Sequence, residues 1–98
     1  MQEHKDVSVG LEDIKGLLFR AMQGSVTDVG HLRSALTAES RFQDAGIDSL
    51  DLVEFFVRLQ ERYKIAIPQE EYADLTSLDA VQRYVTMRLE VVARAEPA

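Results

Sequence analysis

The chain has 98 residues, 46% of them apolar, which suffices for one compact domain with a modest core and is too little for two. It contains no cysteine, which excludes disulfides, cysteine-ligated zinc, iron–sulfur clusters and a thiol nucleophile of its own, so any thiol chemistry has to be imported. Eleven Lys and Arg against seventeen Asp and Glu give a net charge of -6, which argues against nucleic acid as the main partner and favours partners with basic surfaces.

The N-terminal run Met1-Gln-Glu-His-Lys-Asp6 is polar, and no later run approaches a membrane span. The chain therefore reads as soluble and cytoplasmic, without a membrane partner. Apolar residues then recur at three and four, with no sustained alternation, so the expected fold is all-α. In the first helix Val7, Leu11, Ile14, Leu18 and Met22 form the buried stripe, Asp6 or Ser8 is the candidate N-cap, and Gly24 is the stop. Residues 23–48 make a long connection with Gly24, Gly30 and Gly46. Val29 to Leu36 offers a short helical turn, with Leu32, Leu36 and Phe42 as apolar anchors; a functional loop is the other reading.

The second strong helix runs from about Ser49 to Tyr63 and ends before Ile65-Ala-Ile-Pro68, because proline demands an extended preceding residue. Gln69 to Leu75 is a short helix at best, with Pro68 suited to its first turn. Thr76-Ser-Leu-Asp79 has the capping-box pattern, in which the Thr hydroxyl takes an orphan amide and the acid reaches back, so a last helix starts near Ser77. Its stripe is Leu78, Val81, Val85, Leu89 and Val92, with Tyr84 alongside, and the tail from Arg94 frays. The architecture is a small bundle of three main helices plus one short helix, with a long loop between the first two main helices. It forms a single domain over 1–98, with a core of about 7–92 and flexible termini at 1–6 and 93–98.

The second helix has two apolar faces. At about 100° per residue, Leu52, Phe55, Phe56, Leu59 and Tyr63 fall within one core-facing arc of about 100°. Leu50, Val53 and Val57 lie opposite, flanked by Asp51, Glu54 and Glu61. A domain this small covers both faces of one helix only with difficulty. Either the second strip stays in water as a transient docking surface edged by carboxylates, or the 23–48 loop folds over it.

The residues Phe42-Gln-Asp-Ala-Gly-Ile-Asp-Ser-Leu-Asp-Leu-Val-Glu54 resemble the signature of acyl carrier proteins. The likeness continues through Leu59-Gln-Glu-Arg-Tyr63, Ile67-Pro-Gln-Glu-Glu71, Leu75-Thr-Ser-Leu-Asp-Ala80 and Tyr84-Val85. It covers residues 42 to 85 closely and the first helix only by pattern. The resemblance implies that Ser49 is the covalent attachment point for 4′-phosphopantetheine, moved from coenzyme A by a phosphopantetheinyl transferase that holds magnesium. It implies that the arm's thiol carries acyl groups as thioesters to acyl-loading enzymes and synthases. It also implies that Asp44, Asp48, Leu50, Asp51, Val53, Glu54 and Val57 dock such partners. A helix start suits the phosphodiester, since free backbone amides and the dipole favour an anion there by about 0.3–1 kcal/mol. The plain alternative for Ser49 is an N-cap with no chemistry. For Asp48 and Glu54 it is a solvated charged face.

Departures from the family pattern sharpen the reading. Arg58 and Arg62 interrupt an acidic helix and Gln60 stands where an acid is common, which favours a dedicated polyketide or other specialised pathway over general fatty-acid synthesis. Phe55 and Phe56 replace aliphatics, and Phe56, if it faces inward, shortens or reshapes any shelter for an acyl chain. The expectation is a discrete, monomeric carrier that is not an enzyme. A peptidyl carrier is the neighbouring alternative, and an unmodified helical adaptor with the same fold is the alternative from another class. Other chemistry fits poorly. Gly46-Ile-Asp-Ser-Leu50 lacks the second glycine of a hydrolase elbow. His4 and His31 are the only histidines, and no calcium loop or other metal-ligand pattern is present.

Overall fold

The computed structural model describes residues 9–22 and 29–95. Four α-helices and a 3-10 helix follow in order: α1 (Leu11–Ala21), α2 (Val29–Ala35), α3 (Ser49–Tyr63), the 3-10 helix (Gln69–Asp74) and α4 (Leu78–Ala95). The long connection thus carries a helix of its own, α2, in addition to the short element after Pro68. α1 packs on both α3 and α4. The core is assembled from Ile14 and Leu18 of α1, Phe55 and Leu59 of α3, and Leu78, Val81 and Val85 of α4, all fully buried. These are i, i+3, i+4 and i+7 positions, so the sequence period translates directly into the packed face.

The expected stripe of α1 holds from Leu11 onward, with Phe19 buried in addition. The helix starts later than the pattern suggests. Gly10 is its N-cap and supplies no side-chain bond; Asp6, Val7 and Ser8 lie outside the described residues, as does Gly24. Glu12 and Asp13 in the first turn and Arg20 in the last complement the helix dipole.

Leu32, Leu36 and Phe42 are all buried, so α2 and the segment after it are anchored as expected. Three backbone and side-chain ties reinforce them. Lys15 Nζ donates to Leu36 O at 3.2 Å. The Asp79 N–H donates to Ala38 O and the Phe42 N–H to Thr76 O, each at 2.8 Å. The connection before α3 is therefore fastened to the start of α4.

α3 has the expected bounds, but its stop is Lys64, which takes the left-handed conformation at φ 57° and returns its N–H to Gln60 O. Pro68 acts further along. It precedes the 3-10 helix as its cap and does not enter its first turn. At α4 the cap is Ser77, whose Oγ accepts from the Ala80 N–H at 3.2 Å. The Thr76 position expected for that role instead gives its carbonyl to Phe42. Asp79 does not reach back; it pairs with Arg83 at 3.2 Å. α4 continues through Arg94 to Ala95, beyond the expected fraying point. Its burial fades after Leu89, and Val92, expected in the stripe, is 46% exposed.

Candidate functional site

The site is built by the turn from Arg41 to Asp48. Phe42 is buried and meets the Phe55 ring edge-on, with centroids 6.1 Å apart. The chain then doubles back: the Gly46 N–H donates to Gln43 O and the Ile47 N–H to Phe42 O, each at 3.1 Å. Gly46 has φ +82°, and a Cβ there would meet nothing within 4 Å, so glycine serves the backbone conformation and not a tight space. Ile47 is buried. Two apolar pins five positions apart thus hold a loop whose exposed tip includes Gln43 and Asp44.

Asp48 is the N-cap of α3. Its Oδ1 accepts from the Leu50 N–H at 2.7 Å, with a longer approach of 3.4 Å from the Asp51 N–H. This removes one alternative and corrects one expectation. Ser49 is not the cap; it is the first helical residue, exposed, and its hydroxyl has no part in the cap. The helix-start amides expected to favour a phosphodiester are in part already taken by Asp48. Asp48 thus has a structural task that a reading of it as a solvated charge misses. The sequence signal was available, since Asp caps a helix as well as Ser does.

Leu50, Val53 and Val57 are 78%, 42% and 38% exposed. Among the described residues the 29–48 segment does not cover the second apolar strip, and the covered alternative is set aside for that segment. Of the carboxylates expected beside it, Asp44, Asp48 and Glu54 are exposed and Asp51 is half-buried. One Asp51 oxygen, Oδ2, is shielded and makes no hydrogen bond among the described residues. Glu54 is paired with Arg58, Nε to Oε2, at 3.0 Å, so that the basic departure directly offsets one carboxylate beside the strip. Arg62 lies 5.8 Å from the centre of the Tyr63 ring.

Gln60 does a different job from the one its acid-to-amide departure suggests. Its Nε2 donates to Phe56 O at 3.2 Å and its Oε1 accepts from the Ile67 N–H at 3.0 Å. It fastens the connection after α3. A half-buried Gln followed by an apolar loop is too common a pattern to have marked this role.

On the inner side, Phe56 is 2% exposed and stacks between Phe55, centroids 5.5 Å apart, and Tyr72, 4.6 Å apart. The inward placement considered for Phe56 is therefore the observed one. The perturbed titrations lie away from Ser49: burial is the main cause that raises Tyr63 and Tyr84 above the ordinary phenol value.

An exposed serine hydroxyl at the first turn of a helix, presented by a pinned loop, fits covalent modification, with no residue to be displaced. Residues 20–85 match the family described as phosphopantetheine attachment site. The chain belongs to the acyl carrier protein family. It is 34% identical over 70 residues to the acyl carrier protein of Helicobacter acinonychis, covering 69% of this chain and 90% of that one. It is 44% identical over 48 residues to that of Wolinella succinogenes, covering 48% of this chain and 63% of the relative. Among solved structures, the acetyl actinorhodin acyl carrier protein of Streptomyces coelicolor shares the fold with a TM-score of 0.66 at 24% identity, over 86% of this chain and 94% of that one. A 3-oxo-butyl acyl carrier protein, an intermediate mimic from the actinorhodin polyketide synthase of the same organism, gives 0.66 at 26% identity, over 90% and 95%. This acyl carrier protein accordingly takes 4′-phosphopantetheine as its cofactor and is a mostly helical bundle. Among the described residues no helix is long and apolar enough to cross a membrane.

Proposed function

We propose that Ser49 is the residue of this acyl carrier protein that bears the phosphopantetheine, and that the chain works as a single, monomeric, non-catalytic carrier domain in the cytoplasm. The observation that carries this reading is the placement of Ser49. It is exposed at the start of α3, outside the cap, and Leu50, Val53 and Val57 begin beside it. The bound arm supplies a terminal thiol that holds an acyl group as a thioester. The chain's own residues present it: Phe42 and Ile47 fix the loop, Asp48 fixes the helix start, and the apolar strip docks the transferase, the loading enzyme and the synthases in turn. Asp44, Asp48, Asp51 and Glu54 supply acidic groups for basic rims on those partners. Affinities near micromolar, about −8 kcal/mol, let each partner release the carrier. A polyketide or other specialised pathway fits best. The similarity to a polyketide-synthase carrier and the Glu54–Arg58 pair, which lowers the acidity of the strip, both support that choice.

The test is incubation with coenzyme A, magnesium and a broad-specificity phosphopantetheinyl transferase. Intact mass should rise by one phosphopantetheine, and Ser49→Ala should abolish the gain. Glu54→Lys should slow loading and leave the helical circular dichroism unchanged. An unchanged mass with an active transferase would reject the reading.

A further inference from the structure

The inner face of α3 bears on what the arm can carry. Leu52 lies three positions after Ser49 and so on the same side of the helix. It lines a cleft of about 150 Å³ together with Phe42, Tyr72 and Leu75, and with Arg41, Gln43 and Thr76 as its polar lining. A water molecule's share of liquid volume is about 30 Å³, so the cleft takes on the order of five non-hydrogen atoms. The core beside the cleft is filled with rings. Phe42 and Tyr72 line it, and Phe42, Phe55 and Phe56 are 1%, 0% and 2% exposed. Edge-on contact of Phe42 with Phe55 and the close Phe56–Tyr72 pair at 4.6 Å leave none of these rings able to swing aside without losing aromatic packing. The lining is also part polar, since Arg41, Gln43 and Thr76 contribute to it and carry donors that suit carbonyl oxygens on a cargo better than a hydrocarbon chain.

We propose that this carrier is built for short or oxygenated acyl groups, of about two to four carbons in the sheltered part, and that Phe56 against Tyr72 sets that limit by closing the bundle behind the cleft. The inference rests on attachment at Ser49. Carbons of a saturated chain beyond about the fourth find no room in this cleft.

The test loads the full chain from acetyl-, butyryl- and octanoyl-coenzyme A and compares melting temperature and amide hydrogen exchange of the loaded forms. In the unaltered protein the octanoyl form should melt within about 2 °C of the butyryl form, because carbons beyond the fourth find no shelter, well under the 4–8 °C that corresponds to 1 kcal/mol at this size. Exchange at Phe55, Phe56 and Leu59 should be the same in each. Phe56→Ala opens space, so its octanoyl form should melt higher than its butyryl form, and Phe56→Leu should show the same trend if the alanine variant does not fold. An octanoyl group that stabilises the unaltered protein beyond its butyryl form and protects those amides would overturn the inference and leave attachment at Ser49 intact. Lack of chain-length dependence in both variants would overturn it too. No mass gain from any donor would remove the attachment reading and this inference with it.

Discussion

Gln60→Ala measures how firmly one side chain holds the connection behind α3. The two bonds of Gln60 are unequal. Phe56 O lies within α3, where the helix supplies a backbone partner, so losing the Nε2 donor at 3.2 Å removes little. The Oε1 acceptor, 3.0 Å from the Ile67 nitrogen, matters more. Ile67 is 3% exposed, so its N–H has no ready access to water once that acceptor is gone, and an orphaned buried donor costs about 1–3 kcal/mol. Alanine's better helix propensity offsets a few tenths of a kcal/mol. The net loss should be about 1–2.5 kcal/mol, taken from the roughly 5–15 kcal/mol that holds a domain of this kind together. At about 4–8 °C per kcal/mol, the melting temperature should fall by roughly 4–20 °C. Gln60→Glu keeps an acceptor towards Ile67 and should lose less than about 1 kcal/mol. Urea unfolding followed by circular dichroism gives both values, with amide exchange at Ile67 as a local readout. If the alanine variant stays within about 0.5 kcal/mol of the unaltered protein, the range of ordinary surface changes, the reasoning fails. Equal losses in the two variants would refute it as well.

Three further outcomes are expected. Asp48→Ala should cost about 0.5–2 kcal/mol through loss of the α3 cap, whereas Asp48→Asn should unfold at nearly the original urea concentration and still load more slowly, separating the cap from the charge. Gly46→Ala should cost about 1–2 kcal/mol from its positive φ alone, because nothing obstructs the added methyl; a neutral result by urea unfolding would mean that the turn has relaxed. Burial raises Tyr63 and Tyr84 above 10.0, so the unfolded chain releases these protons first as pH rises. Their stabilisation is then whole below about pH 10 and lost as pH climbs through the folded-state values. A Tyr63→Phe, Tyr84→Phe double variant should show a flatter alkaline limb in melting temperature against pH.

The bounds of α3 are legible in the sequence because a strong apolar period begins at a run of two good capping residues, Asp48 and Ser49, and both faces of the helix can be drawn from that period alone. The same arithmetic puts Leu50, Val53 and Val57 on one face but leaves open whether the preceding loop covers it, and only the structure shows them exposed. What sequence reasoning misplaces is decided by three-dimensional partners. Thr76 and Ser77 are equally good caps on paper, and the choice falls to Ser77 because the Thr76 carbonyl is used by Phe42. Gln60 reads as a surface amide until Ile67 is brought within 3.0 Å of it. Val92 continues the α4 stripe faithfully, but it lies past the part of α4 that the bundle covers. The division between Asp48 as cap and Ser49 as free hydroxyl rests on one bond of 2.7 Å, and no periodicity encodes it.

The claim that Ser49 carries the working arm is tested most directly by fragment mass spectrometry of this protein isolated from the cells that make it. The account predicts one phosphopantetheine on the peptide containing Ser49, bearing a short or oxygenated acyl group as its thioester. An unmodified Ser49 in protein from actively producing cells, or the group on a different serine, would contradict it.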